Sequence, residues 1–114
     1  MDDLVRNVDW RNLPRVTVEV EPDLLELIPD FLSRKRADLQ TLRAALGKGD
    51  LATIGALGHK IKGEGGSFGF DAMSEIGGAL EATARKGDLE PARQMVSDLS
   101  DYLEKIDVVE GPES

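Results

Sequence analysis

Two short stretches, "GKGDLATI" at 47–54 and "RKGDLEPA" at 85–92, repeat one punctuation. In each, a lysine and a glycine suit the end of one helix. The aspartate that follows suits the N-cap of the next, where its carboxylate accepts from backbone N–H groups that lack a partner inside the helix. A third boundary, "FGFD" at 68–71, places Gly69 to end a helix and Asp71 to cap another. Three such turns divide most of the chain into four helices, and connections this short make sequence neighbours antiparallel.

The apolar spacing agrees. The first long helix carries Ile28, Phe31, Leu32, Leu39, Leu42 and Leu46, with Pro29 tolerable in its first turn and a short helical approach at "DLLEL". Met73, Ile76 and Leu80 mark the third helix, which runs to about Arg85. In the fourth, Leu89, Ala92, Val96, Leu99, Leu103 and Ile106 alternate steps of three and four, the seam of a bundle core. The expected fold is all-α, an antiparallel up-down four-helix bundle over residues 21–108. Residues 1–20 form an N-terminal extension and 109–114 a flexible tail, with "VVEGPES" frayed. Within the extension, "VTVEV" alternates as a strand does, but one strand has no pairing partner in an otherwise helical chain. It is expected as an extended strap, anchored on the bundle by Trp10.

A chain of 114 residues supports one domain with one core, and a net charge of −8 repels polyanions, which excludes nucleic acid and anionic lipid surfaces as partners. No apolar run has the length of a membrane span, and "MDDLVRNVDW" lacks the basic and apolar regions of a signal peptide. The cytoplasm is the expected location. With no cysteine, disulfides and thiolate metal sites are excluded.

The second helix, "LATIGALGHKIKGEGGSF" at 51–68, holds the only histidine. Stepping about 100° per residue gathers Leu51, Ile54, Leu57, Ile61 and Phe68 on one stripe, with Gly58 and Gly65 on the same side, and leaves His59 roughly 150° away, facing out of the core. Its neighbours three and four residues off are Gly55, Ala56, Lys62 and Gly63, with Gly66 one turn beyond, so nothing bulky shields the ring. Interior glycines each cost a helix about 0.8–1 kcal/mol relative to alanine, and Gly55, Gly58, Gly63, Gly65 and Gly66 together forgo on the order of 4 kcal/mol. Gly58 and Gly65 are explained by a neighbouring helix packing close. Gly55, Gly63 and Gly66 are not, and the reading is that they clear an apron around His59 for another macromolecule's backbone.

An exposed imidazole, largely neutral at pH 7, is a nucleophile, and a phosphoryl group is its natural electrophile because the Lys62 ammonium one turn on can reach phosphoryl oxygens. Lys60, at i+1, points elsewhere and reads as a solvated residue at the edge of the contact surface. A P-loop is excluded because Glu64 stands where its lysine should be, and a dinucleotide fingerprint because Phe68 stands where a glycine should be; neither stretch follows a strand. One histidine is a poor start for a metal site, and serine–histidine hydrolysis lacks a placed partner.

"HKIKGEGGSFGF" resembles the signature of histidine phosphotransfer (HPt) domains, roughly H-x-[IL]-K-G-x-x-x-x-[FLV]-G, through His59, Ile61, Lys62, Gly63, Phe68 and Gly69. The resemblance covers about residues 21–106. It implies that His59 is the phosphoacceptor, exchanging a phosphoryl group with an aspartate of a response-regulator receiver domain or taking it from a histidine kinase. It further implies a phosphoryl carrier rather than an enzyme, acting as a monomer without a cofactor of its own, with the divalent metal on the receiver. Glu81, at the end of "IGGALE", is similar to the glutamate that orients the imidazole in the phosphotransfer domains of chemotaxis kinases. Such a domain, or a receiver-binding module that takes no phosphate, is the alternative. The surface expected to meet the partner comprises Gly55, Ala56, Lys60, Gly63, Glu64 and Gly66. Glu64 departs from the small or neutral residue usual there, and it reads as a solvated charge or as one that selects partners by repulsion.

Overall fold

The computed structural model describes residues 9–112. Four helices form the expected bundle: α1 (Ile28–Lys48), α2 (Leu51–Ser67), α3 (Asp71–Lys86) and α4 (Leu89–Lys105). Residues Pro22–Leu27 make the short helical approach to α1, in 3-10 form. Gly49, Gly69 and Gly87 take φ of +67°, +85° and +80°, the left-handed region that a Cβ disfavours, and so end α1, α2 and α3 within two residues of the next helix.

The capping aspartates divide. Asp50 caps α2 as expected, accepting from the Thr53 N–H (3.1 Å) and the Thr53 hydroxyl (2.6 Å). Those bonds hold its carboxyl below the usual carboxylate range, against a smaller opposing effect of burial. Asp88 occupies the N-cap of α4 without a side-chain capping bond. Asp71 is not a cap: Phe70 takes that position and Asp71 begins the helix, where its charge still complements the helix dipole.

The strap and the frayed tail are corrected together. "VTVEV" is a strand, β1 (Val16–Val20), and its partner β2 (Ile106–Glu110) takes the end of the expected bundle span and the start of the expected tail, in parallel register from Val16 opposite Ile106 to Val20 opposite Glu110. Parallel strands need a long crossover, and here the whole bundle supplies it. Val18 and Val20 point into the core while Thr17 and Glu19 face out, so the alternation of β1 is that of a half-buried strand. Ile106, read as the last residue of the helical seam, instead opens β2. Arg15 ties the pair from outside, its Nε donating to Asp107 Oδ2 (2.9 Å). Residues 1–8 of the expected extension and 113–114 of the expected tail lie outside the described residues.

Trp10 anchors the chain ahead of β1. It meets Tyr102 edge-on at 5.2 Å, while Arg11 Nε and Nη2 donate to the buried Asp98 carboxylate (3.1 and 2.8 Å) and Lys105 donates to the Arg11 carbonyl (2.9 Å). The core between the helices is built on Phe31, Leu42, Ile54, Ile61, Phe70, Met73, Leu80 and Leu99, all without solvent exposure. Among the described residues, no helix is long and apolar enough to cross a membrane.

Helices α2 and α3 approach most closely at two glycines. A Cβ on Gly58 would lie 2.7 Å from the Glu81 nitrogen and 2.8 Å from the Gly77 carbonyl oxygen, and one on Gly77 would fall 2.7 Å from the Gly58 oxygen and against the Lys62 backbone. Neither position has room for a side chain. Gly65 is tight as well, with the Ser74 nitrogen 3.0 Å from its would-be Cβ. The two core-side glycines of α2 thus have the packing role expected of them.

Candidate functional site

The crossing at Gly58 and Gly77 brings His59 on α2 beside Glu81 on α3. The imidazole is 74% exposed, and its Nδ1 lies 2.9 Å from Glu81 Oε2. An ionised carboxylate only accepts, so the hydrogen of this bond sits on Nδ1, and in the neutral tautomer it selects, Nε2 keeps its lone pair. With the ring tethered at Nδ1, Nε2 is the nitrogen available to a reaction partner.

Glu81 gathers two further cations. Lys62 Nζ stands 3.8 Å from Oε1, and Arg85 Nη2 stands 3.5 Å from Oε2. The glutamate is 19% exposed while Lys62 and Arg85 are 55% and 77% exposed, so a half-buried anion sits beneath three groups that reach into solvent. The backbone of Lys62 is fixed from α3, where the Ser74 hydroxyl donates to its carbonyl (2.8 Å). A shallow groove opens beside His59, floored by Leu51, Ala52, Gly55 and Ala56 of α2 and walled by Ala84 and Arg85 of α3.

The residues expected to meet a partner separate by face. Gly63 is exposed with nothing within 4 Å of a would-be Cβ, and Gly66 is exposed with only the Ser74 hydroxyl at 3.6 Å, so both leave open surface near His59. Ala56 is exposed in the groove. Gly55 differs from expectation: its Cβ would come 3.2 Å from that of Ala84, so its glycine also serves the α2–α3 contact.

Lys60 and Glu64 turn to the opposite flank, toward α1. Glu64 is neither solvated nor presented outward: Oε1 accepts from Lys35 Nζ in a short contact and Oε2 from Arg34 Nη1 (3.0 Å). Lys35 is completely buried, and its ammonium also donates to Asp38 Oδ2 (2.7 Å), whose other oxygen lies 3.5 Å from Lys60 Nζ. A buried ammonium requires anionic partners, and these two carboxylates are what lets Lys35 stay inside. Burial alone would raise the Glu64 carboxyl. The hydrogen bond and charge of Lys35, the hydrogen bond from Arg34 and the charge of Lys60 outweigh it and hold the group below its ordinary value.

Three residues of this region escaped the sequence reading. Arg85 had a signal, standing four residues after Glu81, where helix side chains meet. Lys35 had one too, since it follows Phe31 by four on the apolar stripe of α1 and precedes Asp38 by three. Gly77 lay beside Gly78 in "IGGALE", and nothing local distinguishes the one that touches α2. Among the described residues, no cluster of three or more histidine, aspartate and glutamate side chains is placed to hold a metal ion.

The model of the Hpt domain family matches residues 26–108, a span that holds all four helices, His59, Lys62 and Glu81. No curated protein and no solved structure matches the chain.

Proposed function

The chain belongs to the Hpt domain family, and on that premise we propose that it carries a phosphoryl group on His59, exchanged with an aspartate of a response-regulator receiver domain. The observation that carries this reading is the exposed imidazole, bonded to Glu81 through Nδ1 and flanked by Lys62. In the exchange, the Nε2 lone pair forms the N–P bond while the P–O bond of the aspartyl phosphate breaks, its electron pair remaining on the departing carboxylate. The ring becomes an imidazolium whose Nδ1–H stays on Glu81, so the new positive charge forms against an anion already in place. Lys62 supplies a cation for the phosphoryl oxygens. Gly63, Gly66 and Ala56 keep the surroundings low enough for a receiver's active-site rim to close on the ring. The metal and acidic pocket that this chemistry needs belong to the receiver. The proposed setting is the cytoplasm, and the chain acts there as a monomeric carrier without ATP chemistry of its own.

The bond between Glu81 and the ring favours a second reading, the phosphotransfer domain of a chemotaxis-type kinase, in which a kinase domain loads His59 from ATP and the receiver unloads it. Incubation with phosphorylated receivers and, separately, with kinase and ATP distinguishes the two. In either case the label on this chain is acid-labile and base-stable, as a phosphoramidate is, and His59→Gln abolishes it. Label that persists in His59→Gln refutes both readings.

A further inference from the structure

Arg85 is absorbed by none of the roles above, although it stands closer to Glu81 than Lys62 does. We infer that Arg85 is a second phosphoryl-binding cation, which with Lys62 brackets the group carried on His59. The inference rests on the proposed phosphoacceptor role of His59.

The first support is position. Lys62 follows His59 by one turn toward the C-terminus of α2. Arg85 follows Glu81 by one turn toward the C-terminus of α3, which in an antiparallel pair is the opposite direction, beside Gly55 and Ala84. The two cations therefore flank the imidazole from its two ends along the helix pair, and Arg85 lines the groove that opens on His59.

The second support is how loosely Glu81 holds them. Charge-assisted N–H···O bonds run about 2.7–2.9 Å, whereas Arg85 stands at 3.5 Å and Lys62 at 3.8 Å. The ring alone is within that range, at 2.9 Å. Both cations are thus attracted to the site without being engaged by it, and a dianion on Nε2 would draw them at little loss. A guanidinium can present two parallel donors to two phosphoryl oxygens.

The third is charge. In the phosphorylated site, Lys62, Arg85 and the imidazolium carry three positive charges against three negative ones, two on the phosphoryl group and one on Glu81. The site closes neutral. Without Arg85, a net negative charge remains where the phosphoryl group and Glu81 already repel each other.

The test uses the full chain and phosphoramidate as small-molecule donor, so no docking partner enters. Nε2 attacks phosphorus, the P–N bond of the donor breaks, and ammonia leaves with the electron pair. Phosphorus NMR follows both the rate at which phosphohistidine forms and the pH midpoint of the phosphohistidine signal. Arg85→Gln is expected to slow formation several-fold and to raise the midpoint by about half a pH unit, the effect of removing one nearby charge in a well-solvated site. Arg85→Lys should restore most of the midpoint, which depends on charge, and less of the rate, which uses the fork. An unmoved midpoint in Arg85→Gln overturns the inference, whatever the rate does, and leaves Arg85 as a surface partner of Glu81. Failure of the unaltered protein to form phosphohistidine refutes the phosphoacceptor reading itself, a separate result.

Discussion

The two flanks of α2 use the same ingredients to opposite ends. Toward α1, Glu64 and Asp38 enclose the fully buried Lys35, with Arg34 and Lys60 closing the outside. Toward α3, Glu81 faces His59, Lys62 and Arg85, all largely exposed and, save for the ring, held at arm's length. In the first cluster every charge is spoken for around an ammonium with no solvent exposure, so its interactions are strong and it has little to offer a partner. In the second, one anion is shared among three donors under solvent, which contributes little to folding and leaves cations ready for a group that arrives with more negative charge. Burial separates a charge cluster that holds the fold from one that can act.

That contrast is broken most severely at Lys35. Lys35→Ala strips the buried Asp38 and the half-buried Glu64 of their central cation and should lower the unfolding free energy by about 3 kcal/mol or more, read by denaturant unfolding. Where the variant is folded, phosphorylation of His59 should proceed as in the parent protein. Loss of phosphorylation without loss of stability would erase the distinction between the flanks.

Glu64→Gln is the milder form, expected to cost about 2 kcal/mol at neutral pH. The pH dependence has a definite sign. Because the folded carboxyl is held below its ordinary value of 4.5, its contribution is complete above that value and disappears as pH falls through the lower, folded-state one. Melting curves of parent and variant should therefore converge on acidification below about pH 4.5, and a gap that widens there would contradict the ion-pair assignment.

Gly63→Ala goes the other way. Nothing surrounds the added methyl group, so helix propensity should raise stability by about 0.8 kcal/mol. Transfer from a receiver should slow because the apron is no longer flat. A gain in both would show that the open surface has no bearing on docking. The smallest stability effect belongs to Lys62→Ala, expected to stay within about 0.5 kcal/mol of the parent, with phosphoryl transfer slowed about tenfold. A destabilised Lys62→Ala with normal transfer would move Lys62 to the structural side of the comparison.

Much of this was legible from local pattern. The glycine turns, the apolar seams and the outward placement of His59 depend on residues within a few positions of one another, and the HPt-like motif lies within twelve consecutive residues. What escaped depends on contacts between distant segments. "VTVEV" gives a clear strand signal, but its partner lies past four helices in "IDVVE", whose short apolar run reads equally well as the end of α4. Glu64 looked solvated because Lys35, the residue that draws it in, stands on another helix and belongs to a type seldom buried. Gly77 could not be told from Gly78 without the α2 backbone that passes over it.

Glu81 is proposed to hold Nδ1 of His59 so that Nε2 takes the phosphoryl group. Phosphorylating nitrogen-15-labelled protein and recording nitrogen–phosphorus correlations of the single histidine identifies the bonded nitrogen directly. One phosphohistidine species is expected, with phosphorus on Nε2 and the hydrogen on Nδ1. Phosphorus on Nδ1, a mixture of the two isomers, or no phosphohistidine at all would contradict it.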